Sequence, residues 1–274
     1  MPPAVGVCSW SLRPESPGDL VARLRRTGCD AMQLHLDPMR TGRWALDDLR
    51  DRAAEAGIVI LSGMMTMEGE DYTSLESIAR TGGVRPDATW SANLDAAHGN
   101  ARVAQALGLD LVTFHAGHLP ESPDDPERDT MVARLRELVK VFGERGVRVG
   151  LETGQETAGT LEQYLDQIDG AGVNFDPANM ILYGMGDPHD ALERLAPRVV
   201  QIHIKDALPT DTPGAWGEEV RAGDGAVDWS RFMSIARRST PSANLLIERE
   251  AGDTRVEDIV AARELIGGLI EGSP

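Results

Sequence analysis

The sequence predicts a single (β/α)₈ (TIM) barrel, and three observations carry that expectation. Its 274 residues suit a fold that typically takes about 250. Eight short hydrophobic segments alternate with helix-like patterns from end to end, the arrangement that gives a parallel sheet. Charged and polar residues recur where those segments end, the face on which such barrels keep their active sites. No linker-like stretch divides the chain, so residues 1–274 read as one domain.

The strand candidates, in order, are 4–10 (AVGVCSW), 31–36 (AMQLHL), 58–64 (IVILSGM), 111–115 (LVTFH), 147–152 (VRVGLE), 172–176 (GVNFD), 199–204 (VVQIHI) and 244–248 (NLLIE). Between them lie helical patterns such as GDLVARLRRTG, LDDLRDRAAEAG, MVARLRELVKVFGERG and TLEQYLDQIDGAG. Several end in glycine, the usual residue just past a helix C-terminus. Two segments, 65–100 and 207–227, are too long for a simple loop-and-helix connection. Inserts of this length on a barrel cover the pocket or build a subunit interface.

Alternation along the strands sorts the side chains, because successive residues point to opposite faces. In VVQIHIKD, Val200, Ile202 and Ile204 oppose Gln201, His203 and Lys205. In VRVGLE, Val147, Val149 and Leu151 oppose Arg148, Gly150 and Glu152; likewise Val173 and Phe175 oppose Asn174 and Asp176, and Leu245 and Ile247 oppose Leu246 and Glu248. The apolar set suits the layer under the helices, which leaves the polar set to the barrel interior. The same parity turns His35 and His115 inward.

Glu152, Asp176, His203 and Glu248 then converge at one end of the barrel. Three carboxylates in a partly dry pocket repel one another, and buried carboxylates are costly without a partner. One divalent cation removes the difficulty: three oxygen donors and an imidazole suit Mn²⁺, Mg²⁺, Co²⁺ or Zn²⁺. Lys205 shares the parity of His203 and is expected at the pocket rim, on a substrate oxygen or in an ion pair with Asp206 or another carboxylate. Trp10, Trp90 and Trp216 come from a strand end and the two inserts, where an aromatic face stacks on a sugar or simply packs. Glu156 and Glu250 share parity with the favoured glutamates, as substrate contacts or as solvated groups. His118 and His189 read as loop residues without a role.

Composition narrows the partners. A net charge of −17 repels phosphate backbones and anionic lipid, so neither nucleic acid nor membrane is expected. Cys8 and Cys29 have no zinc-motif spacing and read as buried thiols in a reducing compartment. With no signal-like start and no run of ~20 apolar residues, a cytoplasmic protein is expected.

The quartet, with LE at 151–152, FDPAN at 175–179, HIKD at 203–206, GDGAVDW at 223–229 and IER at 247–249, resembles the xylose isomerase-like barrels, the group of sugar phosphate isomerases and epimerases. That resemblance implies metal ligation by Glu152, Asp176, His203 and Glu248, with Glu152 and Glu248 flanking the substrate as an acid/base pair. His115 matches a histidine that faces the pocket in this group. Asn179 stands where several relatives have a substrate-contacting histidine; asparagine hydrogen-bonds a hydroxyl but does not shuttle a proton near neutral pH. Several relatives are dimers or tetramers, which makes a homo-oligomer compatible with the resemblance.

The chemistry expected is metal-dependent isomerisation or epimerisation of a small carbohydrate or polyol, by proton abstraction next to a carbonyl through an enediolate. The same residues would serve a lyase, dehydratase or hydrolase acting on inososes or 3-keto-glycosides. No glycine-rich phosphate cradle lies near the last two strands, which disfavours phosphorylated substrates. A DNA-repair endonuclease on this barrel would need further His and Asp ligands and a basic groove; a non-catalytic sugar-binding barrel would have little use for both Glu152 and Glu248.

Overall fold

The computed structural model describes residues 3–271. Ten strands run in chain order: β1 (Val5–Cys8), β2 (Ala31–His35), β3 (Val59–Met64), β4 (Leu111–His115), β5 (Arg148–Glu152), β6 (Ala171–Phe175), β7 (Val199–Ile204), β8 (Asp206–Leu208), β9 (Glu218–Val220) and β10 (Asn244–Ile247). Eight of them close a barrel in the order β1-β10-β7-β6-β5-β4-β3-β2, every pair parallel. β8 and β9 form a separate antiparallel hairpin. This is the expected (β/α)₈ barrel.

The outward residues of each strand meet the helices in an apolar layer. Val7, Leu34, Phe114, Leu151, Phe175 and Ile204 are all buried there. Phe175 meets Phe232 of the helix Trp229–Ser239 with ring centroids 6.0 Å apart. The inward residues are polar. Gln33, Ser62, Thr113, Asn174, Gln201 and His203 are buried in the barrel, where bulky branched side chains more usually dominate.

Three local differences from the sequence reading bear on the site. β1 stops at Cys8, and residues Ser9–Leu12 turn into a 3₁₀ helix. The Ser9 hydroxyl accepts the His35 backbone N–H at 2.8 Å, which ties the turn to β2 and carries Trp10 across the barrel mouth. β6 stops at Phe175 because Asp176 caps the next helix, Pro177–Tyr183: its Oδ1 accepts the Asn179 backbone N–H at 2.9 Å, and Pro177 follows at the first helical position. His189, expected in a loop, is buried in the helix Pro188–Leu195, 3.1 Å from Asp187 Oδ1 and 3.2 Å from the Asp228 carbonyl.

Both inserts reach the C-terminal mouth. The first supplies Thr66, Glu70 and Tyr72 to its wall before continuing as the helices Leu75–Thr81 and Asp87–Ala106; the second supplies Trp216 and Glu219 from the β8–β9 hairpin. Asp206 anchors the second. Its carboxylate accepts backbone N–H groups from Ala207, Gly223, Gly225 and Val227 and the indole N–H of Trp229, all within 2.9–3.2 Å. A Cβ on Gly225 would sit 2.0 Å from Asp206 Oδ1, so only glycine fits that approach. Among the described residues no helix is long and apolar enough to cross a membrane.

Candidate metal centre and active site

At the C-terminal end of the barrel, His203 Nδ1 lies 3.5 Å from Glu152 Oε1, 3.5 Å from Asp176 Oδ2 and 3.4 Å from Glu248 Oε2. One ligand atom from each of the four residues falls within 4.8 Å of all the others. The strands set this convergence. Glu152 ends β5 and pairs in register with His115 and Asn174 on its neighbours, His203 is inward on β7, and Asp176 and Glu248 follow the ends of β6 and β10.

The layer beneath fixes the orientation of these groups. Ser62 Oγ donates to Gln201 Oε1 at 2.5 Å, Gln201 Nε2 donates to Asn174 Oδ1 at 3.0 Å, and Asn174 Nδ2 donates to Glu152 Oε2 at 2.9 Å. On the other side, Gln33 Nε2 donates to Thr113 Oγ1 at 2.7 Å and to the Gly63 carbonyl at 3.3 Å. Gln33 must therefore present its oxygen to His203 Nε2, 2.8 Å away. Asn174 Nδ2 also lies 3.0 Å from Nε2 while donating to Glu152, and the Gln33 oxygen accepts from the Cys8 thiol at 3.6 Å as well. This network gives Nε2 an acceptor in the Gln33 oxygen and leaves Nδ1 as the ring atom that faces the three carboxylates.

That arrangement fits a cation. Three carboxylates repel one another in a buried site, and neither His203 Nδ1 nor Asp176 Oδ2 has a hydrogen-bond partner. Burial pushes the Asp176 carboxyl up to about 6 even with Lys205 nearby, as expected of a carboxylate short of positive charge. Burial opposes a charge on His203 too, yet the carboxylates of Glu152 and Glu248 hold its affinity for a proton well above the usual range. Cys8 Sγ is 3.6 Å from His203 Nε2; burial pushes its thiol up to about 12, and with His203 and Glu248 it forms a second, smaller group of possible ligand atoms.

Above the quartet opens a cavity of about 350 Å³. Trp10 donates its indole N–H to Glu248 Oε1 at 2.6 Å. Lys205 Nζ donates to Glu248 Oε2 and Glu250 Oε2, both at 2.9 Å. Although burial works the other way, Lys205 and His203 hold the Glu248 carboxyl well below the ordinary range. Asn179 Nδ2 donates to Glu152 Oε1 at 3.1 Å while its Oδ1 accepts from Lys205 at 3.4 Å, so Asn179 joins the two halves of the site. His115 Nε2 is 3.4 Å from Glu152 Oε1.

Of the residues singled out in the sequence, the structure gathers Glu152, Asp176, His203 and Glu248 into the cluster, and places His115, Asn179, Lys205 and Trp10 on the wall above it. His35 goes elsewhere. Its Nε2 pairs with Asp37 Oδ2 at 3.1 Å, and it lines a separate small cavity with Ser9, Arg13 and Trp44 beyond Trp10. Trp90 also leaves the site, with the Arg134 guanidinium 5.2 Å from its ring centroid. Glu156 is buried, with one oxygen unpartnered and its carboxyl pushed up to about 8 by that burial. Sequence reasoning missed Glu70, Tyr72, Tyr183 and Glu219 on the wall. Glu70, Tyr72 and Glu219 sit in irregular inserts where no periodicity applies. Tyr183 had a usable signal: it lies two helical turns beyond the Asp176-Pro177 cap, on the face that carries Asn179.

Comparison with known proteins agrees with this architecture. The chain is 28% identical over 209 residues to a 3-oxo-isoapionate decarboxylase of Pectobacterium atrosepticum, covering 74% of this chain and 66% of that one, so the match spans just under two thirds of the relative's length. The structure of a xylose isomerase domain protein from Planctomyces limnophilus superposes with a TM-score of 0.89 at 28% identity, covering 98% of both chains. A xylose isomerase-like TIM barrel protein from Mycobacterium smegmatis, solved in complex with magnesium, shares the fold at a TM-score of 0.74 and 18% identity over 99% of this chain and 97% of that one. The family model described as xylose isomerase-like TIM barrel matches residues 21–267, and the chain therefore belongs to the xylose isomerase-like TIM barrel family.

Proposed function

We propose that this protein is a divalent-metal-dependent isomerase or epimerase of a small carbohydrate or polyol, working by proton transfer next to a carbonyl. One observation carries the reading: His203 Nδ1 faces three carboxylates at 3.4–3.5 Å, directly beneath an open cavity. Glu152, Asp176, His203 and Glu248 would hold the cation. The magnesium reported with the Mycobacterium smegmatis relative supports a divalent ion without choosing among Mg²⁺, Mn²⁺, Co²⁺ and Zn²⁺. When bound, the ion supplies Lewis acidity to a substrate carbonyl and its neighbouring hydroxyl.

The side chains divide the remaining work. Glu152, oriented by Asn174 and Asn179, takes the proton from the carbon next to the carbonyl, and the C–H electron pair moves into an enediolate. Glu248, ionised and held by Trp10 and Lys205, would take a proton from the Lys205 ammonium 2.9 Å away and pass it to the other face or to the adjacent carbon, giving epimerisation or isomerisation respectively. The Lys205 ammonium stabilises negative charge developing on substrate oxygen. His115 and Asn179 hold hydroxyls beside Glu152. A lyase is the second reading, favoured by the name of the Pectobacterium relative: loss of carbon dioxide from a 3-oxo acid leaves an enolate of the same kind.

Solvent-deuterium incorporation into ketoses and inososes, followed by NMR with Mg²⁺ or Mn²⁺ and then with chelator, tests the reading. Metal-dependent exchange at one carbon is expected. No exchange in any compound, with metal shown to be bound, would overturn it.

A further inference from the structure

The cavity mouth is charged in a way the reaction itself does not require. Five glutamates line it (Glu70, Glu152, Glu219, Glu248 and Glu250), and Lys205 is the one lysine or arginine among the lining residues. That ammonium is already engaged by Glu248 and Glu250, both at 2.9 Å. The guanidinium of Arg249, behind Glu219, is likewise taken, by Glu219 Oε1 at 2.8 Å and Asp258 Oδ2 at 2.9 Å. His115, the other lining group able to carry positive charge, lies 3.4 Å from Glu152 Oε1, so each of these cations already faces a carboxylate of the protein.

The acidic groups are also built in. Glu70 accepts the Gly83 backbone N–H at 3.0 Å and the Tyr72 hydroxyl at 3.3 Å. Gly83 sits at φ +65°, where a Cβ would lie 2.0 Å from the Ala116 carbonyl oxygen, so only glycine fits at the position that donates to Glu70. Glu219 accepts the backbone N–H groups of Glu250 and Ala251 at 2.8 and 3.1 Å, locking the β8–β9 hairpin against the end of β10. Between these carboxylates the wall is aromatic and uncharged: Trp10, Tyr72, Tyr183 and Trp216, the last two edge to face at 4.7 Å between centroids. Such rings suit the C–H faces of a neutral ring or chain. A divalent cation brings two positive charges to three carboxylate ligands, so even the loaded site keeps a negative field at the mouth.

Resting on the reading above, we infer that this site takes uncharged polyhydroxy carbonyl compounds and excludes their carboxylated and phosphorylated counterparts, by like-charge repulsion from a fixed glutamate rim. The rim thus sets substrate class, while the quartet sets chemistry. It also separates this chain from an acid-processing use of the same cluster.

The test is binding to the Mg²⁺-loaded full-length protein, read by ligand-observed NMR, for xylitol and sorbitol against D-xylonate and sorbitol 6-phosphate at constant ionic strength. The neutral polyols are expected to bind at least about tenfold more tightly than the anions, since like-charge contacts in a partly desolvated site cost a kcal/mol or more. Glu250→Gln releases Lys205 from one partner, and Glu70→Gln removes the opposite rim charge; each is expected to narrow the preference, and the double variant most. Anions binding as tightly as the polyols, or an unchanged preference in both variants, overturns the proposal, as does failure of both polyols to bind at millimolar concentration. Deuterium exchange decides the proton-transfer reading separately: a protein that binds xylitol selectively but exchanges no ketose keeps the rim and loses the reaction.

Discussion

Along β7 the two faces of the barrel stand one residue apart. Ile202 and Ile204 are buried against the helices, while Gln201 and His203 are equally buried inside the barrel. The outer face is held by area and shape, where a lost methylene costs stability in proportion to the contacts removed. The inner face is held by pairing. Each of Gln33, Asn174 and Gln201 spends its donors and acceptors on neighbours that end at Glu152 or His203, and an unmatched group there is costly. Burial alone therefore does not say what a residue does in this molecule; the face does.

The sharpest way to break the comparison is Glu152→Gln, nearly isosteric and confined to the inner face. Turnover in the deuterium-exchange assay should fall by about 10²–10⁴-fold, the usual worth of a general base, with the thermal midpoint shifted only slightly. Retained turnover would remove Glu152 from proton transfer. Phe175→Ala makes the opposite cut on the outer face. It should cost about 3–5 kcal/mol of unfolding free energy in urea titration, with metal content per folded molecule unchanged; a smaller loss would mean that the layer around Phe232 closes over the gap.

Gln201→Leu keeps volume but leaves the Ser62 hydroxyl and Asn174 Oδ1 without their partner. Metal affinity or turnover should drop by about 10–100-fold, as for other groups that orient ligands, and isothermal titration with Mg²⁺ or Mn²⁺ reads it. An unchanged affinity would show that Glu152 holds its pose without the chain beneath it. The smallest effect concerns pH and lies outside the site. Burial would raise the Asp37 carboxyl, but hydrogen bonds from His35, Asn100, Thr66 and Arg40 together hold it well below the ordinary range. Its contribution to stability is therefore full above the unfolded value of about 3.9 and is lost as pH falls toward its lower folded value. Denaturant melts at pH 6 and pH 3 should show the gap between wild type and Asp37→Asn shrinking at the lower pH; a constant gap would contradict the assignment.

The same division explains what the chain reveals before folding. Strand positions, the inward parity of Gln201, His203 and Glu152, and the four clustered residues follow from a period of two, which survives in any parallel barrel. Asp176 was legible for the same reason, though its second duty as a helix cap shortened β6 by a residue. His35 obeyed the parity rule and still left the site, because Asp37, two residues on, draws its ring away. Glu70 and Glu219 were beyond reach: their positions depend on hydrogen bonds to Gly83, Glu250 and Ala251 across irregular backbone, and nothing periodic announces such contacts.

Asp206 carries a consequence of its own. Five donors from the segment 207–229 meet on that one buried carboxylate, while residues 209–217, including Trp216, form the loop that joins the two strands of the β8–β9 hairpin. The span can therefore be rewritten in length and composition as a cassette, with the Asp206 anchor and the barrel left untouched. A lineage, or a laboratory selection, that kept the aspartate and Gly225 would be free to trade one substrate for another without relearning how to fold.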